Sequence, residues 1–108
     1  MRIALVALHF AEYAVRLALA LAETHAVLIV LNERNADTEL STALRQQMAG
    51  RFEIVLLQRP RLLRLPAQLS RLLAVISAFR PDVVHYQEVG GRLVPWSVRL
   101  LDSQVPLV

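Results

Sequence analysis

The sequence predicts an α/β fold of the Rossmann-like or flavodoxin-like class, with a parallel sheet between two layers of helices. Apolar runs too short for helices alternate with segments whose apolar residues recur at helical spacing, in the order βαβαβαβαβ. The runs also lack in–out alternation, which is typical of parallel strands that are covered on both faces. Right-handed crossovers between parallel strands leave few topologies, and among these we expect the strand order 3-2-1-4-5.

The first βαβ unit occupies residues 3–31. The unbroken apolar run at 3–8 predicts a central first strand. Residues 11–23 have a wide apolar face at helical spacing and predict the first helix. Residues 26–31 are rich in β-branched side chains and predict the second strand.

The next unit begins with a predicted polar loop at 32–36. Asp37 or Thr38 is expected to cap the second helix, and Gly50 suits its C-terminal end. Residues 52–57 predict the third strand, at an edge of the sheet. The expected buried stripe of the second helix consists of Leu40, Ala43, Leu44 and Met48.

Prolines punctuate the remainder of the chain. Pro66 suits the first turn of a third helix, and Pro81 marks its end before a fourth strand at 82–86. A fourth helix is predicted at 93–101, and residues 106–108 start a fifth strand. Because the chain ends inside that strand, we expect it to be the N-terminal part of a longer enzyme. The predicted stripe of the third helix consists of Leu69, Leu72, Leu73, Ile76 and Phe79.

Composition bounds the class of protein. The 108 residues suffice for one domain, and a hydrophobic content of 56% excludes a disordered chain. Cysteine is absent, which excludes disulfides and thiolate metal sites and fits a cytoplasmic protein; we expect no metal site. The apolar run after Arg2 stops at His9, which is too early for a signal peptide. Arg16 and Glu23 interrupt the apolar stretch at 14–31, which argues against a membrane span.

The strongest group of candidate site residues follows the fourth strand. His85, Gln87 and Glu88 precede the glycine pair Gly90 and Gly91. Ligand sites of open α/β sheets lie at the carboxyl ends of the strands, so this group is a candidate substrate-binding site. The alternatives are that His85 is a hydrogen-bonded core residue and that the glycines only permit a turn.

The turn after the first strand contributes two further candidates. His9 and Glu12 could face a ligand, and the amides at the start of the first helix could bind an anion. The alternative is that Glu12 only complements the helix dipole. No glycine precedes Gly50, so the glycine-rich turn of an NAD or FAD site is missing, and we expect no cofactor.

A basic group lies between the third strand and the third helix. Arg59, Arg61, Arg64 and Arg71 alternate with leucines, a mixture that could contact an anionic membrane surface or a lipid-linked substrate. The alternative is a solvated helix shoulder. Few aromatic residues accompany these arginines, so nucleic-acid binding is not expected.

Three segments resemble the N-terminal domain of retaining glycosyltransferases of the two-Rossmann-domain (GT-B) type, family 4. They are the opening strand at 2–6, the segment at 17–27 and, most specifically, the run from Pro81 to His85. The resemblance implies a hexosyltransferase-like enzyme whose N-terminal domain shapes the acceptor site. In that family, the C-terminal domain holds most nucleotide-sugar contacts, so this chain alone is expected to be inactive. The glycine-rich turn usual after the first strand of the family is missing here.

Two other classes of function stay open. The chain could be a non-enzymatic interaction module or a small-ligand-binding domain of another α/β protein. Because apolar patches and open strand edges tend to pair, we expect a homodimer or larger species.

Overall fold

The computed structural model describes residues 1–58 and 65–87. Within them, four parallel strands form one sheet in the order β3-β2-β1-β4. This arrangement confirms the α/β class, the interior position of the first strand and the edge position of the third. The predicted fourth helix and fifth strand lie outside the described residues. The strands are β1 (Arg2–Ala7), β2 (Ala26–Asn32), β3 (Glu53–Leu57) and β4 (Val83–Tyr86).

Helices cover both faces of the sheet. Side chains of β1 alternate between two apolar clusters, with Leu5 in one and Val6 in the other. The Leu5 cluster contains buried residues of α1, α2 and α3, whereas the Val6 cluster contains Leu72 and Ile76 of α4. Because β1 and β2 are buried on both faces, they carry apolar residues at nearly every position. The helices are α1 (Ala11–Leu21), α2 (Glu33–Glu39), α3 (Thr42–Met48) and α4 (Leu65–Phe79).

The segment between β2 and β3 differs from the prediction. Residues 32–36 are not a loop, and neither Asp37 nor Thr38 caps a helix, because this segment folds into the two short helices α2 and α3. The side chain of Asn32 caps α2 by accepting a hydrogen bond from the amide of Arg34 at 2.9 Å. The hydroxyl of Ser41 caps α3 through the amide of Leu44 at 3.1 Å.

The burial of this segment follows from the two helices. Leu40, Leu44 and Met48 are buried as expected, but Ala43 is exposed. Gly50 follows the last residues of α3 with φ = 73°, a left-handed conformation that glycine adopts without steric cost.

The amino edge of the sheet joins the first and last described strands. The amide of Arg2 donates to the carboxylate of Asp82, and the amide of Asp82 donates to the carbonyl of Arg2, both at 2.7 Å. The guanidinium of Arg2 lies 4.2 Å from the centre of the Phe79 ring and donates to the Phe79 carbonyl at 2.9 Å. These contacts fix the end of α4 against β1 and thereby set the register of β4.

Candidate functional site

A groove lies at the opposite, carboxyl edge of the sheet, beside the ends of β1 and β4. The chain leaves β1 toward β2 on one side, and it returns through β3 and α4 to β4 on the other. Such a reversal is where open parallel sheets form a crevice. The groove has a volume of about 490 Å³, and its described lining comprises Phe10, Glu12, Tyr13, Arg16, Glu39 and Gln87.

The helix α1 begins beside this groove, and a residue of another helix caps its N-terminus. Phe10 occupies the N-cap position and makes no side-chain capping bond. Instead, Oε1 of Glu39 accepts hydrogen bonds from the amides of Ala11 at 3.1 Å and Glu12 at 3.4 Å. The amides that could bind an anion therefore already donate to a carboxylate of the protein itself.

Asn35 holds this capping carboxylate in position. Its Nδ2 donates to Oε2 of Glu39 at 3.0 Å and also to the carbonyl oxygen of His9. Asn35 and Glu39 both belong to α2 and lie one turn apart, so α2 packs its polar face against the loop after β1. The loop and the start of α1 are thereby tied to α2.

Glu12 forms a local ion pair beside the groove. Nη2 of Arg16 lies 3.1 Å from Oε1 of Glu12, one helical turn away, and both side chains are more than half exposed. The spacing is the favourable i,i+4 arrangement with the acid on the N-terminal side. Because the pair is exposed, its carboxylate and guanidinium can also reach a ligand in the groove.

Two aromatic side chains form the apolar part of the lining. Phe10 and Tyr13 are 61% and 64% exposed, which is unusual for such large side chains. They lie at the N-cap and in the first turn of α1, next to Glu12. An exposed aromatic pair beside carboxylates is a surface suited to a ligand with both an apolar face and hydroxyl groups.

Two predicted residues lie in or just after β4, and one of them, Gln87, lines the groove. Gln87 lines the groove, and its amide donates to the carbonyl of Val6 at 3.0 Å. The side-chain oxygen of Gln87 is buried and accepts no hydrogen bond from the part of the chain that the structure describes. His85 lies opposite Leu5 in the register and is half-buried.

The other predicted residues divide into two groups. His9 is exposed in the loop between β1 and α1, where its carbonyl meets Asn35. Glu88, Gly90 and Gly91 lie outside the described residues, as do Arg59, Arg61 and Arg64. The structure thus places Glu12 and Gln87 in one groove, with His9 in an adjoining loop.

Five residues of the site were missed by the sequence reasoning, namely Phe10, Tyr13, Arg16, Asn35 and Glu39. The last two belong to α2, for which the sequence pattern predicts a loop followed by the start of a later helix. The available signal was Asn32 followed by Glu33, an N-cap residue with an acid in the first turn. Even with that signal, the contact of Glu39 with an amide 28 residues away required the tertiary fold.

A second buried amide lies on the other face of the sheet. Gln68 is 9% exposed in the first turns of α4, on the stripe that also contains Leu72 and Ile76. Its side-chain oxygen has no hydrogen-bond partner among the described residues. A buried amide oxygen of this kind is energetically unfavourable unless water or a ligand reaches it.

The described residues contain no group of three or more His, Cys, Asp or Glu side chains placed to hold a metal ion. Across residues 1–58 and 65–87, every helix is too short or too polar to cross a membrane. No protein-family model matches the chain, and no curated protein matches it either.

Proposed function

We propose that the chain is the acceptor-side domain of a sugar-transferring enzyme that uses a nucleotide-sugar donor. The observation that carries the proposal is the groove between the ends of β1 and β4, which combines exposed aromatic rings with carboxylate and amide side chains. Ionised carboxylates and amides bind hydroxyl groups, and an aromatic ring packs against the C–H face of a pyranose. The resemblance of the run from Pro81 to His85 to family 4 glycosyltransferases supports the same assignment.

The role of this domain is to bind and orient the acceptor. Gln87 and Glu12 approach the groove from β4 and α1, so an acceptor bound there would contact both sides of the reversal in the sheet. The loop after β1 has no glycine through which backbone could approach a diphosphate. We therefore assign the nucleotide to a donor-binding domain beyond this chain, and we assign no catalytic residue within it.

An array of immobilised glycans, probed with the labelled chain, tests this function. We expect retention on a subset of glycosides and no measurable affinity for uridine or guanosine diphosphate sugars by calorimetry. The isolated chain is expected to transfer no sugar. Micromolar binding of a nucleotide sugar would show that the donor site has been misplaced, and failure to retain any glycan would contradict an acceptor site.

The edge strand β3 favours a second function, that of an interaction module. Ile54 and Leu56 are 40% and 36% exposed on the same face of β3, and β3 pairs only with β2 among the described strands. An exposed apolar edge strand is a template for pairing with another strand. In an antiparallel pair of two copies centred on Val55, Ile54 of each copy would oppose the partner's Leu56 on one face.

Light scattering after size-exclusion chromatography distinguishes this association. We expect a dimer for the wild type and a monomer for Ile54→Arg, because a charge opposite Leu56 opposes pairing. Phe10→Arg is the matched control, since it changes a similarly exposed apolar residue far from β3 along the chain. A monomeric wild type at high concentration would rule out pairing through β3.

A further inference from the structure

The described residues of the groove carry more negative than positive charge. Its described lining includes the carboxylates of Glu12 and Glu39 and one guanidinium, that of Arg16, which leaves a formal charge of one negative. Arg16 is already paired with Glu12 at 3.1 Å. A phosphate or a carboxylate entering the groove would therefore meet a net repulsion from the described side chains.

Glu39 also occupies the position where a phosphate would otherwise bind. The N-terminus of a helix following the first strand is a common anion site, because its amides point outward with the positive end of the helix dipole. Here two of those amides, of Ala11 and Glu12, donate to Oε1 of Glu39. An anionic ligand would have to displace this carboxylate, which Asn35 additionally holds through Oε2.

The remaining features of the lining suit an uncharged ligand. Phe10 and Tyr13 expose large aromatic surfaces, which attract the weakly positive C–H groups of a sugar ring. Gln87 lines the groove with an amide whose oxygen has no hydrogen-bond partner among the described residues, and an amide can bind a hydroxyl group. These properties are complementary to a hexopyranose without a phosphate, sulfate or carboxylate at the contacting ring.

We infer that the groove binds a neutral sugar ring stacked on Phe10 and Tyr13, and that Glu39 is the residue that rejects anionic acceptors. The inference rests on the proposed function and deepens it by naming the acceptor class. Asn35 is a positioning residue for Glu39, since it holds the carboxylate without reaching the aromatic surface of α1.

The test is a titration of the ¹⁵N-labelled chain with a pair of ligands that differ by one phosphoryl group. We use a methyl hexoside and its 6-phosphate, with inorganic phosphate as a separate arm. The neutral glycoside is expected to shift the amide signals of Phe10, Tyr13 and Gln87. It is also expected to bind more tightly than the phosphorylated glycoside by on the order of fivefold, which is the effect of a unit charge about 4 Å away in water-like surroundings.

Two sets of variants assign the preference to residues. Glu39→Gln is expected to remove most of the discrimination between the two glycosides and to let inorganic phosphate shift the amides of Ala11 and Glu12. Tyr13→Leu should weaken the neutral glycoside severalfold, whereas Tyr13→Phe should retain its affinity. Because Tyr13 is exposed, neither substitution is expected to unfold the chain, and the dispersion of the amide spectrum verifies the fold.

The outcomes separate this inference from the function on which it rests. Tighter binding of the phosphorylated glycoside in the wild type would overturn the inference and leave the acceptor function standing. Neutral binding that shifts residues remote from Phe10 and Tyr13 would do the same. Binding of neither glycoside, together with an array that retains no glycan, would overturn both.

Discussion

The capping of α1 by Glu39 predicts a loss of stability that can be measured without any ligand. Phe10 provides no capping side chain, so Glu39 is the side chain that satisfies the first amides of α1. We expect Glu39→Ala to lower the free energy of unfolding by removing the hydrogen bonds, the favourable charge at the helix N-terminus and the tie to Asn35.

The magnitude follows from these three contributions. Loss of an N-cap acceptor costs about 1 kcal/mol. The second hydrogen bond, from the amide of Glu12, is long at 3.4 Å and adds little to that cost. The charge at the helix terminus contributes about 0.5 kcal/mol. The 3.0 Å bond from Asn35 contributes roughly another 0.5 kcal/mol, so the total is about 2 kcal/mol.

The assay is urea unfolding followed by circular dichroism, with thermal melts alongside. Glu39→Ala should lower the melting temperature by about 8 °C, since 1 kcal/mol corresponds to about 4 °C for a domain of this size. Glu39→Gln keeps an acceptor oxygen and loses only the charge, so its destabilisation should be about 0.5 kcal/mol and should shrink in about 1 M salt.

Glu23→Gln is the matched control for net charge. Glu23 is exposed after α1 and makes no hydrogen bond or ion pair within the described residues, so its substitution should leave stability within about 0.5 kcal/mol of the wild type. If Glu39→Ala is no less stable than this control, Glu39 does not cap α1. Equal losses for the Ala and Gln variants would instead show that charge alone stabilises the terminus.

Four further predictions concern other parts of the fold, each measured by urea unfolding. Gly50→Ala should destabilise the chain by about 1 kcal/mol because φ at Gly50 is 73°. No atom lies within 4 Å of an added Cβ, so the cost is purely conformational. Arg80→Gly, where φ is 54°, should be neutral or stabilising by up to about 1 kcal/mol. A loss for Arg80→Gly would show that its side chain outweighs the backbone strain. Gln68→Met should stabilise by about 1 kcal/mol by removing a buried oxygen that has no hydrogen-bond partner among the described residues. Destabilisation would indicate that this oxygen is hydrogen-bonded in solution. Arg2→Gln should cost about 1 kcal/mol through its contacts with Phe79, whereas Arg71→Gln, an exposed change in α4, should cost little; equal effects would contradict the cation–π contact.

The parts of the fold that could be predicted from the sequence are those whose pattern has one physical interpretation. The run at 3–8 is apolar at every position because both faces of β1 are covered, and its six residues match the usual length of a strand better than that of a helix. The polar segment after β2 has no such pattern, because Asn and Asp favour loops and helix caps alike. Its division into α2 and α3 depends on Leu40 being buried between two capped helices, which is a tertiary requirement.

The candidate site was predictable only in part for the same reason. The carboxyl edge of the sheet followed from topology, and that argument led to Glu12 and Gln87. Phe10 is the N-cap of α1 and Tyr13 lies in its first turn, and the sequence offers no reason to expect these large aromatic side chains in solvent. Their exposure depends on how the loop after β1 is held by Asn35, a contact 26 residues distant in the chain.

Two independent features of the loop after β1 argue against a phosphate at this edge of the sheet. A pyrophosphate site needs glycines so that backbone can approach the ligand, and this loop instead carries His9 and Phe10. It also needs free amides at the helix N-terminus, and here Ala11 and Glu12 donate to Glu39. Either feature alone would weaken nucleotide binding, and both act at the position where this fold class usually holds it. In a sugar-transferring enzyme built on this domain, the nucleotide would therefore have to be held by other parts of the protein. The groove beside β1 and β4 would then be left to the acceptor, and an uncharged ring would match its aromatic and acidic lining.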